Sequence, residues 1–162
     1  MNGRPPRVAG ATAGAILGDR AVAAYADSNT AMRKTVKSMV DEAMQAITTY
    51  SVEEARELHG REDVQFVDLR DVRELEREGV IPGAFHAPRG MLEFWVDPES
   101  PYHKPVLNKP GTRYVLFCAA GWRSALATKT MQDMGVDDVA HIEGGFEAWK
   151  QAGAPVAEKA RK

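Results

Sequence analysis

Cys118 is the only cysteine in a chain of 162 residues, and Arg123 follows it at close range. The residues between are Ala119, Ala120, Gly121 and Trp122. Upstream, Tyr114 to Phe117 is an apolar run of β-forming residues and reads as a buried strand. Downstream, Ser124 suits a helix cap, and Ala125, Leu126 and Ala127 are good helix formers. The short segment from Cys118 to Arg123 therefore has to turn the chain from strand to helix. Gly121 can take a positive φ without a Cβ clash, which lets the loop curl until its amides point inward. The helix start adds free N–H groups and a positive dipole end. A thiol ringed by donors ionises more readily, because each donor favours the thiolate. The expected chemistry is nucleophilic, with Cys118 as nucleophile and the amides of Ala119, Ala120, Gly121, Trp122 and Arg123 as an anion cradle. A lone cysteine at a strand end can also be a small inert hydrophobe. Arg123 decides between the readings: its guanidinium either closes the ring through paired hydrogen bonds or lies on the surface in a salt bridge.

The pattern Cys-x-x-Gly-x-Arg-Ser after a strand resembles the active loop of rhodanese-type sulfurtransferases. Further segments agree in order. Val67-Asp68-Leu69-Arg70 with Glu74 is similar to the family's Asp-x-Arg strand end, and Gly79-Val80-Ile81-Pro82-Gly83-Ala84 to its Gly-His-Ile-Pro-Gly-Ala signature. Glu143-Gly144-Gly145-Phe146-Glu147-Ala148-Trp149, then Gly153 and Pro155, is similar to its closing segment. The resemblance covers residues 50–157. Val80 departs from it, standing where the family usually has His, and reads as a turn-packing residue. The resemblance implies a rhodanese-like three-layer α/β fold, its central and mainly parallel sheet flanked by helices. It implies a persulfide on Cys118, a small-molecule sulfur donor such as thiosulfate, a thiol or cyanide acceptor, and no metal or organic cofactor. Phosphatases and arsenate reductases on the same fold carry one residue more between Cys and Arg, so the shorter ring here suits a single sulfur atom. A persulfide carrier or regulatory binding module is the alternative from another class. Family members that favour thiosulfate often have a basic residue directly after the Cys; Ala119 is neutral, which leaves the donor open.

Other candidate site residues lie on neighbouring elements. Asp68 and Arg70 leave an adjacent strand end, either as a buried ion pair fixing the loop or as substrate contacts. Arg89, with Glu93, Trp95 and His103, belongs to a segment that could form a wall or lid of the pocket. Trp122 could line the entrance, Ser124 closes the loop, and Trp149 reads as core. The four histidines, His59, His86, His103 and His141, lack metal-ligand spacing.

These residues need a frame. Ser51-Val52-Glu53-Glu54 is a capping box opening a helix to Leu58. Val64 to Asp68 reads as a strand, and Asp71 with Glu74 caps a helix ending at Gly79. A short helix is expected over Arg89 to Trp95 and a long proline-rich loop over 97–110. The active-loop helix should run to Met134, a strand should cover Asp138 to Ile142, and a last helical segment Phe146 to Gln151. Alternating strands and helices predict a parallel sheet covered on both faces, with the loop at the carboxyl end of a central strand.

Residues 1–29, rich in Ala and Gly, read as a disordered leader, or less well as an export signal ending at Ala24-Tyr25-Ala26. Met32 would also serve as a start codon. Asn29 to Thr48 reads as an amphipathic helix, so 30–49 forms a helical extension, 50–157 the rhodanese-like domain and 158–162 a tail. Its apolar face, Met32, Val36, Met39, Val40, Ala43, Met44 and Ile47, suits either packing on its own domain or docking of a second copy or another protein. A net charge of −2 with no dense basic run argues against nucleic-acid binding, and the sequence has no apolar run long enough for a membrane span. One cysteine excludes an internal disulfide, so a cytoplasmic setting is expected.

Overall fold

The computed structural model describes residues 33–160. The readings of the leader, the helix start at Asn29 and Met32 fall outside them. Among the described residues, those from Met39 onward form one compact unit, which holds the whole sheet.

Five strands, β1 (Thr48–Tyr50), β2 (Val64–Asp68), β3 (Phe85–His86), β4 (Arg113–Phe117) and β5 (Val139–Ile142), pair in the order β1-β5-β4-β2-β3. Every pair is parallel. Among the described residues the α-helices are α1 (Val36–Ala46), α2 (Val52–Leu58), α3 (Val72–Glu78), α4 (Leu92–Val96), α5 (Trp122–Asp133) and α6 (Gly145–Gln151). This is the expected α/β arrangement of a parallel sheet flanked by helices.

Period-two alternation in the central strands divides the core between two faces. Along β4, Tyr114 and Leu116 join one cluster with Val67, Leu92, Val96 and Met131. Val115 and Phe117 join another with Phe66, Ile142, Phe146 and Trp149. Thus α4 and α5 cover one face, and α2 and α6 the other. Buried on both sides, β4 reads as an unbroken apolar run.

Both capping boxes form, Ser51 with Glu54 and Asp71 with Glu74, and Gly79 ends α3 at φ 94°. Val80 pairs with Ala157 in an antiparallel bridge, consistent with a packing role at the turn. The expected helix over Arg89 to Trp95 is a 3₁₀ turn, Arg89–Met91, leading into α4.

The sheet begins two residues before the expected boundary at 50, because Thr48 and Thr49 pair with Ala140 and His141 of β5. The helix expected to reach Thr48 stops at Ala46 for the same reason. From Met39 onward the apolar face of α1 is divided. Val40 and Ala43 are buried against Ala125 of α5, with Ile47 and Leu126 beside them, while Met39 and Met44 stay exposed. Among the described residues, no helix is long and apolar enough to cross a membrane.

Candidate active site

Cys118 follows β4 at its carboxyl end and is buried, with 1% of its surface exposed. The chain then turns through Gly121 at φ 118°, and α5 starts at Trp122. Gly121, not Ser124, occupies the cap position. Its left-handed conformation reverses the chain early, so Ser124 falls inside the first turn of α5. There its amide is one of those the helix cannot satisfy internally.

That shift sets the geometry around sulfur. The Gly121 N–H donates to Cys118 Sγ at 3.1 Å and the Ser124 N–H at 3.4 Å, with Ser124 Oγ at 3.5 Å. The donors that reach sulfur are therefore the amides of Gly121 and Ser124. Ala119 contributes differently: its carbonyl accepts from the Glu147 N–H at 3.0 Å, and the Cys118 carbonyl accepts from the Phe146 N–H at 2.8 Å. The free amides at the start of α6 thus clamp the back of the loop.

The glycine pair before α6 makes this clamp sterically possible. Gly144 and Gly145 have φ 74° and 61°. A Cβ on Gly145 would stand 2.5 Å from the Cys118 carbonyl oxygen and 2.7 Å from that of Ala119. Behind the clamp lies the Asp68–Arg70 pair. Arg70, 1% exposed, donates to both carboxylate oxygens of Asp68 at 3.0 and 2.8 Å and to the Gly79 carbonyl at 2.8 Å. Its guanidinium carbon sits 4.0 Å from the centre of the Phe146 ring. These contacts join Asp68 and Arg70 to each other, to Gly79 and to Phe146 of α6.

Arg123 meets Glu74 of α3 in a bidentate pair, 2.9 Å at each end. Hydrogen bonding to Arg123 holds the Glu74 carboxyl down to about 2, against the opposing effect of burial. Glu74 in turn raises Arg123 further above its ordinary value, and the nearby Cys118 sulfur adds to this. Of the two expectations for Arg123 the salt bridge is the one seen, its paired hydrogen bonds going to Glu74. Trp122 is 53% exposed at the start of α5.

Arg89 is not drawn into the loop by its polar contacts. It pairs with Glu93 at 2.6 Å and reaches Thr130 Oγ1 at 3.5 Å. His103 bonds the Trp95 carbonyl through Nδ1 at 2.9 Å, and Lys104 lies 4.8 Å from the centre of the Trp95 ring. Trp149 is wholly buried, its indole N–H donating to the Pro155 carbonyl at 2.8 Å.

The sequence reading passed over His141, which is 1% exposed in β5. Its Nδ1 lies 2.9 Å from Ser124 Oγ and its Nε2 3.0 Å from Thr49 Oγ1. Burial depresses it to about 4. A signal existed, since a histidine inside the apolar run Val139-Ala140-His141-Ile142 needs buried polar partners.

A parallel sheet that presents a buried cysteine to two loop amides, at the end of a central strand, defines an α/β protein of a recognisable class. The chain belongs to the rhodanese-like domain family, which matches residues 51–152; this is a family of the sulfurtransferase type. An uncharacterized protein of Synechocystis sp. is 31% identical over 70% of this chain and 58% of its own length. The thiosulfate sulfurtransferase/rhodanese-like domain-containing protein 3 of Mus musculus is 29% identical over 59% of this chain and 64% of its own. The chain thus spans about three fifths of these curated relatives. Among solved structures, a protein of unknown function from Rhodopseudomonas palustris, described as a possible tyrosine phosphatase, is 53% identical. It superposes with a TM-score of 0.75 over 78% of this chain and 96% of its own. The thiosulfate sulfurtransferase of Pseudomonas aeruginosa, 24% identical, shares the fold with a TM-score of 0.64 over 78% of this chain and 23% of its own.

Proposed function

We propose that this chain moves a sulfane sulfur from a small donor to a thiol or cyanide acceptor through a persulfide on Cys118. The observation that carries the reading is the convergence of the Gly121 and Ser124 amides on Cys118 Sγ, at 3.1 and 3.4 Å. With thiosulfate, the Cys118 thiolate attacks the outer sulfur. The new S–S bond forms as the old one breaks, and sulfite leaves with the bonding electron pair. The terminal sulfur of the persulfide carries negative charge, which the loop amides and the start of α5 stabilise. Cyanide or an acceptor thiolate then takes that sulfur and returns Cys118 as thiolate, a ping-pong sequence. The name of the mouse relative supports this reading.

The Rhodopseudomonas relative's description favours a second reading, phosphate-ester hydrolysis through a cysteinyl phosphate. Two features oppose it. Four residues, Ala119 to Trp122, separate Cys118 from Arg123, one fewer than in phosphatase-like relatives. Both terminal nitrogens of Arg123 are also held by Glu74, where a phosphate would need them.

Intact-mass measurement decides between the readings. After incubation with thiosulfate, the native chain should gain one sulfur atom, release it to cyanide as thiocyanate, and leave p-nitrophenyl phosphate intact. Cys118→Ser should gain none, because a hydroxyl is far less acidic than a thiol at similar size. Phosphate release without a sulfur adduct would replace this reading with the phosphatase one.

A further inference from the structure

A serine hydroxyl beside a reactive sulfur can face it in two ways, offering its hydrogen or a lone pair. Only the first stabilises an anion. Ser124 has one hydroxyl hydrogen and three neighbours: the Gly121 carbonyl at 3.2 Å, His141 Nδ1 at 2.9 Å and Cys118 Sγ at 3.5 Å. Which way it points depends on what the histidine contributes.

The surrounding atoms answer that. The Gly121 carbonyl can only accept, so Ser124 donates to it in this arrangement. The hydroxyl hydrogen is then committed, and His141 Nδ1 has to be the donor in its own bond to Ser124 Oγ. A neutral ring protonated at Nδ1 has a bare Nε2, which must accept. Thr49 Oγ1 lies 3.0 Å away and supplies that hydrogen when its hydroxyl turns from Met44 Sδ, a weak acceptor at 3.9 Å, to the ring. With this assignment every polar atom from Thr49 to the loop is satisfied. The reverse tautomer would use the serine hydrogen on Nδ1 and turn a lone pair toward the sulfur.

We propose that His141, locked by Thr49 as the Nδ1–H tautomer, is a positioning residue that makes Ser124 a hydrogen-bond donor to the Cys118 sulfur. The proposal rests on Cys118 working as a thiolate. When the thiol is protonated, the Ser124 hydrogen stays on the Gly121 carbonyl. When it ionises, the hydrogen swings to sulfur, because a bond to a charged acceptor is about twice as strong. The carbonyl is not orphaned, since it also accepts from the Ala125 N–H at 3.1 Å. The sulfur thereby gains a third donor beside the Gly121 and Ser124 amides, and His141 never changes charge. Burial supports the neutral ring. Desolvation is what lowers His141, and it favours the uncharged form of the ring.

Long-range ¹H–¹⁵N NMR of the native protein at pH 7 reads the tautomer directly, with His141 assigned by its absence in His141→Asn. The Nδ1–H form is expected; an Nε2–H ring or an imidazolium overturns the proposal. Thiolate absorbance against pH gives the second readout, unambiguous because the chain has one cysteine. Relative to native protein, the ionisation curve should move up by about one unit in His141→Leu and in Ser124→Ala, tenfold less thiolate at a given pH below the midpoint. The double variant should move no further than either alone. His141→Asn, whose amide can donate in place of Nδ1, should restore most of the shift. Unchanged curves in both single variants, or an Asn variant as displaced as the Leu one, overturn it. Neither measurement uses sulfur transfer. A native tautomer in a chain that moves no sulfur would count against the proposed function alone, and the wrong tautomer in an active sulfurtransferase against this inference alone.

Discussion

Glu74 serves two structures with one carboxylate. Its Oε2 accepts from the Asp71 N–H at 2.8 Å, which closes the capping box of α3, and both oxygens accept from Arg123. The cap is a local device, yet here it fixes the rotamer from which the carboxylate reaches the active loop. The two side chains are 21% and 41% exposed, so solvent screens the pair and its contribution is modest. Glu74→Gln should lower the unfolding free energy by about 1 kcal/mol in urea at pH 7. The same change removes the negative charge that pairs with Arg123 and frees its guanidinium. Inorganic phosphate should accordingly inhibit sulfur transfer by the variant more strongly than by the native protein. An unaltered urea midpoint together with unaltered phosphate inhibition would mean that Glu74 neither holds nor restrains Arg123.

Among the elements, the turn into α6 controls the loop from behind. Gly145 carries a positive φ of 61° and approaches two loop carbonyls more closely than any Cβ tolerates. Gly145→Ala should therefore cost about 2 kcal/mol or more, the strain of a left-handed non-glycine residue plus the displaced clamp. Activity should fall further than stability, because the Phe146 and Glu147 amides would no longer anchor Cys118 and Ala119. Retention of native turnover in a folded Gly145→Ala protein would show that the clamp is dispensable. Such devices mark the limit of what the sequence discloses. The capping boxes, β4 and the active loop were legible because each depends on residues a few positions apart. Strands β1 and β3, three and two residues long, carry too little pattern to announce themselves and form only by pairing with β5 and β2. Ser124 suited a cap on local propensity, but the left-handed turn at Gly121 moved the helix start ahead of it. The pairing of Arg123 with Glu74, 49 positions apart, and of Thr49 with His141, 92 apart, needs the folded sheet.

At the scale of the whole molecule, these buried and paired groups set how stability responds to acid. His141 drops from 6.5 to about 4 because the fold excludes water from its ring. Between those values the unfolded chain binds the proton and the native state refuses it, so unfolding is favoured increasingly as pH falls. The neutral ring's contribution is complete above about 6.5, is lost progressively toward 4, and amounts at most to roughly 3 kcal/mol. Glu74 acts in a lower window. Its carboxyl falls from 4.5 to about 2, so the stability that its charge adds is present above 4.5 and disappears as pH drops through 2. Thermal melting followed from pH 7 downward should show a first decline between 6.5 and 4 and a second below 4.5. His141→Asn cannot take up a proton in this range, so its melting temperature, though lower at pH 7, should stay nearly level across the first window and converge on the native curve. Glu74→Gln should leave the first decline in place and blunt the second. Parallel curves for native protein and His141→Asn from pH 7 to 4 would show that His141 is not held neutral by the fold.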